Sequence, residues 1–89
     1  MNKIVTLVTI TGEIVGRLVE INGESIVLES PRLFVQTQQG AGFAQGVSMT
    51  GQTEPKEAAF YLKGVLCVLD TDPDAAKAWV KATSGLILQ

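Results

Sequence analysis

Turn chemistry constrains the first third of this chain more than any other feature. Thr11-Gly12 and Asn22-Gly23 interrupt runs in which Val, Ile and Thr predominate. β-Branched residues are stiff at χ1 and pack well on a pleated surface, so such runs favour strands. Asn-Gly is a strong hairpin signal, because a type I′ turn needs positive φ at both central positions. The expectation is a meander of strands over 3–10 (KIVTLVTI), 13–21 (EIVGRLVEI) and 25–30 (SIVLES). Period-2 alternation in the second run puts Ile14, Gly16 and Leu18 on one face and Val15, Arg17, Val19 and Ile21 on the other. Gly16 inside a β-rich run marks a bend or a close backbone approach. Pro31 has no N–H for a ladder, so RLFVQ at 32–36 resumes the strand at an edge or past a bulge.

Composition changes at Gln36. Residues 36–54 are dominated by Gln, Gly, Ser and Thr and read as a flexible excursion between strands, with Phe43 and Met49 as its large apolar side chains. Order returns with AAFYL at 58–62, the tight break Lys63-Gly64, and the wholly apolar VLCVL at 65–69. A strand with no polar residue fits burial on both faces or a place in an interface. Cys67 in its middle reads as a buried, inert thiol. Asp72, Pro73 and Asp74 then open a helix, as N-cap, first helical residue and partner of the positive dipole end. Ala75, Ala76, Trp79 and Val80 form its apolar stripe, Lys77 and Lys81 its wet side, and Ser84-Gly85 its end. Leu86, Ile87 and Leu88 are expected to dock on this subunit or on a neighbour. The fold class expected is mainly β: a small, five-stranded, strongly bent antiparallel open barrel with a C-terminal α-helix.

The chain has 89 residues, 46% of them hydrophobic and 18% charged. That is one domain with a modest core of its own. Surplus apolar surface in so short a chain favours an oligomer. There is no histidine, which removes imidazole catalysis and His-ligated metals. One cysteine allows neither an internal disulfide nor a cysteine zinc site, and a reducing, cytoplasmic setting fits. The N-terminal run is broken by threonines and reads as a strand rather than a signal peptide. No apolar run approaches the roughly 18 residues of a membrane helix. A net charge of −2 argues against a basic coat spread over the surface, though not against a small local cationic site.

The order of these features resembles the Sm-like family, which includes Sm, LSm and Hfq proteins. Its first motif stands here as Thr11-Gly12-Glu13-Ile14-Val15-Gly16-Arg17-Leu18, then Asn22-Gly23, then Ser25-Ile26-Val27-Leu28. The second stands as Leu62-Lys63-Gly64-Val65-Leu66. The resemblance divides one domain, 1–89, into first-motif hairpins (3–35), a variable loop (36–56), the second motif (57–69) and the helix (73–84). Family members usually begin with a short helix, whereas this chain starts in a strand. The likeness is to a diverged bacterial or phage-type member.

The resemblance implies a closed homo-oligomeric ring, pentamer to heptamer, joined through edge strands 58–62 and 65–69. It also implies single-stranded RNA, or DNA, held at the inner rim. Carried over by position, the nucleic-acid-binding residues are Asn22, Gly23, Ser25, Lys63 and Gly64. Asn and Ser can read base edges, Lys63 can meet a phosphate, and Gly64 allows close backbone approach. Turn formation alone also accounts for Asn22-Gly23 and Lys63-Gly64. Glu24 stands where the family often has an aromatic or a histidine, and its carboxylate repels phosphate. Phe34, Phe60, Tyr61 and Trp79 read as core or interface residues, and Lys3, Arg17, Arg32 and Lys56 as solvated charges. No catalytic residue, metal site or cofactor is expected; Asp70, Asp72 and Asp74 read as helix-capping residues. The competing reading is a structural or assembly module of a phage or bacterial complex that docks protein partners through the loop and the helix.

Overall fold

The computed structural model describes residues 3–84. Its strands are β1 (Ile4–Thr9), β2 (Gly12–Ile21), β3 (Ser25–Thr37), β4 (Gly40–Phe43), β5 (Glu57–Tyr61) and β6 (Val65–Asp70). A 3-10 turn, Leu62–Gly64, joins β5 to β6, and one helix, α1 (Pro73–Thr83), follows. The fold is mainly β, antiparallel, with a C-terminal helix, as expected. The strands run in the order β4-β3-β2-β1-β6, and β5 pairs with the other half of β3.

Among the described residues, six strands replace the expected five. The additional one, β4, lies in the stretch expected to be a flexible excursion. GAGF has little strand propensity of its own; its pairing makes it a strand. Phe43 sits opposite Phe34, ring edge to ring face, with centroids 5.2 Å apart. The hairpin tip is held by Thr37, whose Oγ1 accepts from Gln39 N–H and donates to the Gly40 carbonyl, each at 3.1 Å. Gly40 has φ +127°, a conformation that a side chain would strain. Past β4, backbone bonds from Leu33 to Gly46 (3.0 Å) and from Ala44 to Leu33 (2.8 Å) pin the chain to β3.

β3 runs through Pro31 without breaking. The result is a kink: Ser30 takes φ +50°, and the register against β2 shifts between Val15 and Arg17. On one side of the kink β3 pairs with β5, on the other with β4. A second shift, between Leu18 and Glu20, bends β2 further.

These bends curl the sheet. Laid flat, the path β5-β3-β2-β1-β6 would hold its outer strands about 19 Å apart, at about 4.8 Å per step. The chain crosses from β5 to β6 in a single 3-10 turn, which advances only about 2 Å per residue. The two edges therefore converge at Leu62–Gly64, while no ladder joins β5 to β6 among the described residues. The sheet is curled and open.

Its concave face holds the core: Val5, Leu7, Ile14, Leu18, Ile26 and Leu28, with Phe60 and Leu62 packed against them. Gly16 belongs to this face. A Cβ there would stand 2.9 Å from Leu28 Cβ and 3.1 Å from the Glu29 carbonyl oxygen, so the close approach needs glycine. The helix lies on the other face. Trp79 is its buried residue, whereas Val80, assigned to the apolar stripe, is exposed because the helix meets the sheet along a narrow line. Asp72 caps α1 by accepting from Asp74 N–H at 3.1 Å. The expectation for Leu86–Leu88 lies outside the described residues.

Candidate nucleic-acid interface

The turn between β2 and β3 is not the type I′ turn expected from Asn-Gly. Gly23 is absent from the positive-φ residues. Asn22 builds the turn with its side chain instead, its Oδ1 accepting from Glu24 N–H (2.8 Å) and Ser25 N–H (3.0 Å). This is an Asx-type turn, which replaces a backbone acceptor by the short side chain. The consequence for function is direct. Asn22 Oδ1 is committed to the fold, so of the residue's polar side-chain atoms only the amide nitrogen is left to meet a ligand.

The same turn is tied to the β5–β6 connection. Leu62 N–H donates to the Glu24 carbonyl at 2.9 Å, and Ser25 pairs with Tyr61 across the ladder. Two segments far apart in sequence thus form one depression of about 350 Å³, lined by Gly23, Glu24, Tyr61, Leu62 and Lys63. Of the five residues named from the sequence, Gly23 and Lys63 line it. Asn22 and Ser25 shape the turn behind it. Gly64 lines a neighbouring shallow depression with Thr9, Ile14, Phe60 and Tyr61.

Lys63 is exposed and makes no ion pair among the described residues. Gly23 and Gly64 are open: a Cβ at either would meet nothing within 4 Å, and neither has positive φ. Neither packing nor backbone strain therefore requires glycine at these two positions. Glu24 places a carboxylate in the same depression as Lys63.

Tyr61, read from the sequence as a core or interface residue, lies outside the core. It is 70% exposed on the wall of the depression. Period 2 along β5 carries the signal, since Phe60 turns inward to the core and Tyr61 must face the other way. Phe34, at 37%, is exposed as well. Three of the charges assigned to solvent have partners: Lys3 with Asp70 at 3.1 Å, Arg17 with Glu29 at 3.6 Å, and Arg32 with the Ala44 carbonyl at 3.3 Å.

Cys67 is exposed, not buried, because β6 is an edge strand paired only with β1. Leu66 and Leu69 on the same strand are 67% and 54% exposed. The opposite edge, β5, is likewise paired on one side only. Unpaired N–H and C=O groups beside apolar side chains make β6 a template for another strand.

Among the described residues, no helix is long and apolar enough to cross a membrane. No group of His, Cys, Asp and Glu side chains among the described residues could hold a metal ion. No protein-family model matches the chain, and no curated protein matches it.

Proposed function

We propose that this protein is a ring-forming, Sm-like binder of single-stranded nucleic acid, with RNA favoured, and that it is not an enzyme. One observation carries the reading: the Asn22–Ser25 turn and the Leu62–Gly64 turn meet, through the Leu62–Glu24 bond, around an open depression with an exposed tyrosine and a lysine that makes no ion pair among the described residues. Lys63 supplies a phosphate contact and Tyr61 a surface on which a base can stack. This combination is what sequence-tolerant single-strand binding uses. The open glycines beside them leave room for a sugar-phosphate backbone.

Assembly supports the reading. β5 and β6 are free edges of the curled sheet, as β4 also is, and one copy's β6 pairing with the next copy's β5 would close a ring and remove those two edges. That pairing would also cover Leu66 and Cys67. In such a ring one Lys63 per subunit repeats around the axis, so a chain of net charge −2 can still present a local cationic circle.

The test is native mass spectrometry of the wild type and of Lys63→Ala, with and without uridine and adenosine oligonucleotides at low salt. The expected result is one closed stoichiometry of five to seven copies that takes up oligonucleotide, with uptake lost in Lys63→Ala. A monomer, or uptake equal in both proteins, overturns the proposal.

A further inference from the structure

Between α1 and the convex face of the sheet lies a groove of about 260 Å³. Its floor is apolar, made by Val15 of β2, Phe34 of β3, Phe43 of β4, Leu69 of β6 and Ala75 of α1. The polar atoms at its base satisfy one another: Thr6 Oγ1 and Thr71 Oγ1 are 2.9 Å apart and share a hydrogen bond. The rim is acidic. Glu13, Asp70 and Asp72 line it and all are exposed. Lys3 neutralises Asp70 at 3.1 Å, while Glu13 and Asp72 make no ion pair among the described residues. Asp72 commits one oxygen to its cap of α1.

We infer that this groove seats a basic, apolar peptide segment of a protein partner: an extended stretch with an Arg or Lys beside a large aliphatic or aromatic residue. Size supports this occupant. Small-molecule pockets run from about 300 to 1,000 Å³, and a groove below that range suits one or two side chains. Chemistry supports it too. A long cationic side chain lays its stem along apolar surface and carries its charge outward, here to Glu13 and Asp72. The Phe34 and Phe43 rings add faces that attract a cation. Like charge at the rim rejects phosphate, so the groove is the electrostatic opposite of the Lys63 depression. It uses neither Lys63 nor Tyr61, and its test is independent of the nucleic-acid reading.

A random peptide library displayed on phage is selected against the wild type and against Ala75→Leu, whose added side chain fills the groove. The selected peptide, made synthetically, is then titrated into ¹⁵N-labelled full-length protein. Enriched sequences should pair Arg or Lys with Leu, Ile or Phe. The amides of Val15, Phe34 and Phe43 should shift, with affinity at least tenfold weaker in Glu13→Lys and absent in Ala75→Leu. Both variants are checked for an unchanged amide spectrum elsewhere. Enrichment no better than on Ala75→Leu, acidic consensus sequences, or shifts confined to other residues overturn the inference. So would a uridine oligonucleotide that shifts the same amides. The same holds for nuclear Overhauser contacts from residues 85–89 to the groove in the free protein, and for shifts of the groove amides on diluting the protein alone. Those results would assign the groove to nucleic acid, to the chain's own end, or to a second copy.

Discussion

The indole Nε1 of Trp79 donates to the backbone carbonyl of Ser30 across 3.0 Å, fastening α1 to the kink in β3. Ser30 has φ +50°, and its own N–H donates to the Lys56 carbonyl at 2.7 Å. The residue that bends the strand thus also ties down the helix and the end of the long loop. Arg17 completes the arrangement, its guanidinium carbon 5.3 Å from the centroid of the Trp79 ring.

Trp79→Ala should cost about 3–5 kcal/mol, since it empties a buried aromatic site. Trp79→Phe keeps much of the packing but leaves the Ser30 carbonyl without its donor, a loss of about 1–3 kcal/mol. Urea denaturation followed by far-UV circular dichroism measures both. A loss below about 1 kcal/mol for Trp79→Ala would mean that the helix is not docked as described.

Two glycines should behave oppositely. Gly16→Ala forces a methyl against Leu28 Cβ and the Glu29 carbonyl, atoms close to or on the backbone that have little room to give. The expected cost is about 1–3 kcal/mol. Gly64→Ala meets open space and should change stability by no more than about 0.5 kcal/mol. If Gly64→Ala nevertheless weakens oligonucleotide binding, the glycine serves the ligand and not the fold.

The edge strand can be tested without touching the core. Leu66 is 67% exposed, so Leu66→Lys should leave the circular dichroism spectrum unchanged. A charge on an edge strand opposes further pairing. The variant should therefore be monomeric by sedimentation under conditions that assemble the wild type. Alkylation of Cys67 should likewise slow as wild-type concentration rises and stay fast in Leu66→Lys.

At the proposed binding depression, Glu24→Gln should tighten oligonucleotide binding and Tyr61→Ala should weaken it. Stacking on one aromatic is worth about 1–3 kcal/mol per base. Lys63→Ala should reduce the slope of log affinity against log salt by about 0.7 for each phosphate that Lys63 neutralises. Asn22→Ala should act differently, losing about 1 kcal/mol of stability per hydrogen bond because its Oδ1 holds the turn. Equal weakening of binding in Tyr61→Ala, Lys63→Ala and Asn22→Ala would point to unfolding rather than to a site. Fluorescence anisotropy over a salt series, paired with denaturation, separates the two.

The placement of strands around Thr11-Gly12 and Asn22-Gly23, the cap at Asp72 and the close approach at Gly16 were legible because each depends on neighbours along the chain or on one missing Cβ. The turn type at Asn22 was not legible, because an Asx turn and a type I′ turn are served by the same two residues. Nor was β4, whose strand character comes from Phe34 across the ladder. At the candidate site, Lys63 and Gly23 were named by position from the resemblance to the Sm-like family, since their turns alone do not mark a binding site. The exposure of Tyr61 follows only once Phe60 is known to face the core.

By itself the sequence determined an antiparallel, strand-rich chain with one capped helix, and it removed imidazole chemistry altogether, since these follow from residue type and local spacing. Tertiary structure decided what those strands meet. It kinked β3 at Ser30, curled the sheet until β5 and β6 converged, left VLCVL on an open edge, and set Glu24 beside Lys63. Each of these depends on contacts between residues distant in sequence, which no periodicity along the chain encodes.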